Sequence, residues 1–439
     1  MLNKKTFLNL NSIAIPLVLS SISGIIMGII DQALVGRISI YAYGGVGLVT
    51  STINSIIGIL GSMSIAFNIL GSQCKGEDNI EELNNKFTIY LIINLFIGIS
   101  LFFIINIWCK EILKLGFGLH GQTLKEATDF IRVFSVSILL NLLIFMYSTV
   151  FKIFRKTKHI FTATIIVNII NIILDYILIF GKFGVPAMGS QGAAIGTVIA
   201  LFINLMIYVF ASRKLIKINF KIKYILSRIK DVFNFSIPFI GQEFMEDIVF
   251  VIGLNAIIAR IGIVELSTYT LILQIINVIL MPMFGYTTAN LSLVSESYAK
   301  RETKNLLNIS KCTSIILIII YLIVFISIIL FKGYIPQFIT SDKTLINSAE
   351  KFLPLAIFIQ LFNYIMSVYK SSMQAINYQR WTLKVTFIVN ICTLVLILLI
   401  GNSLSEIYIS IGLSYIFNCI LFYFKYTKIL NGLNIINET

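Results

Sequence analysis

Residues 171–180 read "NIILDYILIF", a run of apolar side chains broken by Asn171 and Asp175. The run lies inside a segment long enough to cross a bilayer, where a carboxylate costs about 2.5–3.5 kcal/mol on insertion scales. Either a partner offsets that cost or the residue has a task. The surroundings decide the fold. Of 439 residues, 57% are hydrophobic and only 12% are charged, against about a quarter charged in soluble domains. Long apolar runs recur along the whole length, so the chain reads as an all-α integral membrane protein. A transmembrane β-barrel would alternate apolar and polar residues, and these runs do not.

About twelve spans are expected, centred near Gly24, Gly58, Ile97, Asn141, Asn171, Phe202, Ile248, Met281, Tyr321, Phe362, Asn390 and Ser414. The largely apolar stretch after Lys4 and Lys5 continues to about Ile38, longer than the apolar region of a signal peptide, and is read as a retained first helix. Basic residues favour the even loops: Lys75 and Lys86; Lys152, Arg155, Lys156 and Lys158; Arg213 to Lys230; Lys300, Arg301 and Lys304; Lys370, Arg380 and Lys384. The third and ninth loops, with Lys110, Lys114 and Lys125 and then Lys332, Lys343 and Lys351, are exceptions. The bias puts both termini on the cytoplasmic side of the cell membrane.

The net charge of +14 therefore marks topology. A nucleic-acid partner is not expected, because no folded basic domain is visible. The five Cys are scattered and imply no disulfide framework, and the two His lack zinc or haem spacing.

The halves resemble each other. At an offset of about 223 residues Asn54 meets Asn277, Ala66 meets Ala289, Ser72 meets Ser295 and Arg37 meets Arg260. At about 222, Asn141 meets Asn363, Tyr147 meets Tyr369, Thr164 meets Thr386 and Asn168 meets Asn390. Such a duplication implies two pseudo-symmetric six-helix bundles: residues 1–212, a cytoplasmic basic linker over 213–232 that lies partly on the membrane surface, and residues 233–439. The duplication fails at the acids. Asp175 has Ile397 as its counterpart, Asn171 has Thr393, and Asp31 faces Leu254 or a neighbour.

Asp31 precedes Arg37 by six residues, Asp175 precedes Lys182 by seven, and Thr197 follows Ser190 by seven. At about 1.5 Å per residue, all three lie roughly 10 Å below the outer surface. Asn171 lies one turn deeper than Asp175 on the same face. Low dielectric disfavours a charged carboxylate, and so does a second one nearby, so a carboxyl in this setting can gain and lose a proton. With oxygen ligands around it, the same group of Asp31, Asn171, Asp175 and Thr197 can instead hold Na⁺. A Thr in a membrane helix also commonly bonds its own backbone. The small residues Gly192 and Gly196 suit close helix packing. In the seventh span, "GQEFMEDIVF" (241–250) carries Gln242, Glu243, Glu246 and Asp247. Glu246 is the expected substrate or ion contact, with Gln242 and Asp247 beside it, and Glu243 suits an ion pair with a Lys or Arg.

At these residues the chain resembles the multidrug and toxic compound extrusion (MATE) family. The resemblance covers almost the whole length, through "IPLVLSSISGIIMGIIDQALVG", "NIILDYILIF" followed by "GSQGAAIGT", and "MPMFGYTTANLSLVSESYAK". It implies two six-helix lobes and export of organic cations and drugs driven by inward H⁺ or Na⁺. It also implies that Asp31, Asn171 and Asp175 carry the coupling ion, and that Glu246 matches a Glu used by some members. Those members pair that Glu with an Asp in the tenth helix, where this chain has Gln360 and Asn363.

The expected activity is thus secondary active antiport by alternating access, with no cofactor beyond the coupling H⁺ or Na⁺, no structural metal, and a monomer in the bilayer. The alternative is a lipid-linked saccharide flippase of the same superfamily, which would line its cavity with several Arg or Lys. An enzyme would want a His, Ser or metal constellation within the spans, and none is evident.

Overall fold

A computed structural model describes residues 4–438, the side chains of 434–438 excepted. The expected cytoplasmic termini fall partly outside these residues. Among the described residues the structure is helical, with no strand. Its helices are α1 Lys4–Gly36, α2 Ile40–Gly61, α3 Met63–Gly76, α4 Ile80–Glu111, α5 Gly121–Phe134, α6 Val136–Ile153, α7 Lys158–Phe180, α8 Gly189–Ser212 and α9 Ile222–Glu243. There follow α10 Val251–Ile261, α11 Ile263–Ile279, α12 Met281–Ala299, α13 Thr303–Leu330, α14 Lys343–Phe358, α15 Gln360–Ala375, α16 Gln379–Ile400 and α17 Leu404–Glu438.

Ten helical runs are long and apolar enough to cross a membrane. Several are two helices in line, such as Ile40–Gly76 and Lys343–Ala375. The pair α11 and α12, bent by 45°, makes an eleventh if it counts as one span. The expected span around Ile248 is too charged to qualify on composition. It holds Glu243, Glu246 and Asp247 within five positions and Arg260 beyond them.

Local chemistry sets the breaks. Ser39 caps α2 by accepting from the Ala42 N–H at 3.0 Å, and Asn79 caps α4 by accepting from Glu82 N at 3.0 Å. Helix α7 stops at Gly181, whose backbone is left-handed with φ +66°. A β-carbon there would also lie 2.5 Å from the Ala187 backbone nitrogen, so only glycine fits.

The chain divides into two compact units. One comprises Leu19–Gly71 and Asn79–Ser236, and it holds the core of α2, α5, α6 and α8. The other comprises residues up to Val18, Ser72–Asp78 and those from Ile237 onward. The basic segment 213–232 belongs to the first unit, and from Ile222 it is helix. Its backbone is pinned to α4: Lys217 N donates to Asn84 Oδ1 and Asn219 N to Thr88 Oγ1, both at 2.9 Å.

The duplication is visible in burial. Ala66 and Ala289 are both buried, as are Ser72 and Ser295, and Tyr147 and Tyr369. Proline also repeats: Pro16 lies inside α1 and Pro238 inside α9, 222 positions later. Each removes one backbone donor from its helix. Many large apolar side chains, among them Phe96, Phe103, Ile107, Ile319 and Ile323, stand exposed on the spans, as lipid-facing surface requires.

Candidate functional site

The two acidic clusters are built differently. In the first unit, α7 carries Asn171 and Asp175 one turn apart, with 6% and 1% of their surfaces exposed. Asp31 is half-buried near the end of α1. The Asp31 and Asp175 carboxyls face each other within hydrogen-bonding range, and the Asn171 amide lies beside Asp175. Two carboxyls so close need a proton between them or a bound cation. No Lys or Arg among the described residues pairs with either acid. Three buried atoms, Asp31 Oδ1, Asn171 Nδ2 and Asp175 Oδ1, have no hydrogen-bond partner. Unsatisfied buried polar atoms are costly, and a shared proton or a cation at the two carboxyl oxygens, with water at the amide, would lower that cost.

Helix α8 completes the wall. Asp175 Oδ1 occupies the space that a β-carbon on Gly196 would fill, and the Leu178 carbonyl oxygen lies 2.6 Å from where one on Gly192 would be. Both glycines therefore serve close packing, and Gly196 also shapes the acid site. Thr197 is half-buried beside it, and its hydroxyl donates to Ala193 O at 3.0 Å. A Na⁺ would find the two carboxyls as its strongest ligands, with the Asn171 carbonyl oxygen one turn away. No group of three or more His, Cys, Asp or Glu able to hold a metal ion occurs among the described residues.

In the second unit, Glu246 and Asp247 lie on a π-helical turn, Phe244–Phe250, between α9 and α10. Lys370 Nζ bonds Glu246 Oε1 at 2.6 Å. Gln242 Nε2 donates to the same oxygen at 2.9 Å, and Gln374 Nε2 donates to Gln242 Oε1 at 2.9 Å. The ion pair thus falls on Glu246, whereas the sequence assigned pairing to Glu243. Asp247 is exposed. Lys370 reads in sequence as a loop residue, but it belongs to α15, one turn before Gln374. That spacing, Lys370 and Gln374 on one helix face, was the available signal. Gln360 and Asn363 bond each other, with Asn363 Nδ2 donating to Gln360 Oε1 at 2.8 Å.

The chain is similar to known transporters along most of its length. The MatE family model matches residues 16–177 and 238–399, two segments of equal length that begin 222 residues apart. A probable multidrug resistance protein NorM of Thermotoga maritima is 23% identical over 363 residues, covering 81% of this chain and 76% of that protein. Its namesake in Streptococcus pneumoniae is 26% identical, covering 76% and 74%. Among solved structures, a MATE in the bent conformation superposes with TM-score 0.88 at 16% identity, covering 100% of each chain. An outward-facing multidrug resistance MATE transporter gives 0.87 at 16% identity, covering 98% and 97%. With both halves matched, the chain belongs to the MatE family of multi-pass membrane transporters.

Proposed function

We propose that this protein is a secondary active antiporter of the cell membrane that exports organic cations and drugs in exchange for inward H⁺ or Na⁺. The observation that supports it most is the acid pair, which has no basic partner among the described residues. Asp31 and Asp175 share one proton, and a cation entering from outside binds between them and neutralises the one remaining negative charge. Loss of that charge removes the attraction for a cationic drug, which leaves outward. Ion and drug thus favour different states, as any ligand that shifts a conformational equilibrium must. Alternating access then delivers the ion to the cytoplasm, the side to which both termini are assigned. The names of the relatives, multidrug resistance proteins, support the substrate class.

The test is dye accumulation in inverted vesicles under separate pH and Na⁺ gradients, comparing wild type with Asp175→Asn. Accumulation driven by one gradient and abolished by the substitution supports the reading and names the ion. A variant that couples normally contradicts it.

A further inference from the structure

Helices α1, α7 and α8 of the first unit share more than the acids. Polar residues recur along α1 at Ser20, Ser23 and Asp31, along α7 at Thr164, Asn168, Asn171 and Asp175, and along α8 at Thr197, Asn204 and Tyr208. The steps of three, four, seven or eight residues keep each series on one helix face.

Hydrogen bonds join the series. Ser20 Oγ and Thr164 Oγ1 are 2.6 Å apart. Thr164 donates to Ile160 O at 2.9 Å, so Ser20 is the donor between them. Asn168 Nδ2 donates to Ser23 Oγ at 2.9 Å and to Ser23 O at 3.2 Å. The buried Tyr208 hydroxyl is within hydrogen-bonding range of Thr164.

Register extends the pattern. The α1–α7 pairs 20/164, 23/168 and 31/175 keep an offset of 144 or 145, so these helices run parallel and in step. Helix α8 runs the other way, with 192 against 178, 196 against 175 and 208 against 164. That register sets Asn204 opposite Asn168. Asn204 Oδ1 is itself a buried atom without a partner, as is Asn171 Nδ2 one turn further out. A seam serving only to hold helices together would satisfy such atoms. From Asp175 to Thr164 is eleven residues, about 16 Å of helix, towards the end that carries Arg155, Lys156 and Lys158.

We propose that this track conducts the coupling cation from the acid pair towards the basic end of α7, with the Ser20, Thr164 and Tyr208 hydroxyls as its inner station. The proposal rests on the antiport reading. Amide and hydroxyl oxygens can stand in for the hydration shell of Na⁺, and hydroxyls can pass a proton from lone pair to lone pair. No bond to carbon forms or breaks. The acid that gives up its cation returns to carboxylate, and the cation leaves at the basic end. The inner station holds no carboxylate, so it releases what the acids bind. Its hydroxyls position the departing ion and set the rate of release, not the affinity of the acid pair.

The test uses the full chain in vesicles, with the initial rate of dye transport read against the concentration of whichever cation drives the wild type. Thr164→Val and Ser20→Ala are expected to lower the maximal rate about tenfold while the half-saturating cation concentration stays within twofold. Thr164→Ser, which restores the hydroxyl, is expected to recover the rate to within twofold. Equilibrium dye binding in detergent reports folding of each variant. An unchanged maximal rate in both hydroxyl deletions overturns the proposal. So does a loss of dye binding that Thr164→Ser fails to repair, since that marks a structural role alone. A wild type that responds to neither gradient instead overturns the antiport reading, independently of the track.

Discussion

The two acidic clusters each draw on the first span of their half of a duplicated chain and have opposite electrostatics. At an offset of 223 residues, Ser20 and Ser23 of α1 correspond to Glu243 and Glu246, while Asp31 corresponds to Leu254. In the first unit the acids stand near the C-terminal ends of α1 and α7 and face each other, and no base among the described residues pairs with them. In the second they stand around a π-helical turn, and Lys370 already neutralises Glu246 at 2.6 Å. The difference teaches where a mobile cation can act. A carboxyl pair without a counter-ion must acquire one from solution. A carboxylate held by a tethered ammonium has one built in, and removing either partner leaves the other half-buried and uncompensated.

The largest expected effect breaks the first cluster. Asp175→Asn should lower ion-driven transport by at least about a hundredfold, read as dye flux under a cation gradient, because one of the two facing carboxyls is gone. Gly196→Ala comes next. Its β-carbon would overlap Asp175 Oδ1, and overpacking of this kind costs about 1–3 kcal/mol. The carboxyl must move, and coupling should fall roughly tenfold with less change in thermal stability. Gly192→Ala, whose β-carbon meets a backbone carbonyl at 2.6 Å, should do the reverse and lower the melting temperature more than the coupling.

The second cluster should respond differently. Lys370→Met is expected to reduce transport severalfold and to preserve the response to the ion gradient, since the unpaired Glu246 disturbs only its own unit. Adding Glu246→Gln should recover part of that loss, and a double-mutant cycle measures it. If Lys370→Met instead abolishes the response to the gradient, the division of labour between the clusters is wrong. The smallest effect is expected for Thr197→Val. Its hydroxyl proton goes to Ala193 O, so transport should change by less than about twofold.

The membrane class, the duplication and the acids on α1 and α7 were legible because each is a local pattern. Apolar runs mark spans, and Asn171 and Asp175 share a face through simple four-residue spacing. Three features were not legible in this way. The partner of Glu246 lies 124 positions away on α15, and Lys370 beside a loop looks like a topology signal. The π-helical turn changes which side chains align around Glu246, which an α-helical count misses. The units also divide within α1 and α9, after Val18 and Ser236, since packing between helices draws that boundary. Gly196 was legible as a packing residue, but its role as the seat of Asp175 needed the register of α7 against α8.

The central claim is that the Asp31–Asp175 pair exchanges a cation for the drug. The most direct measurement is the release of H⁺ or Na⁺ when a cationic dye is added to purified protein in weakly buffered, detergent-containing solution. The account predicts release of about one cation per bound dye in wild type and none in Asp175→Asn. Equal release from both proteins would contradict it.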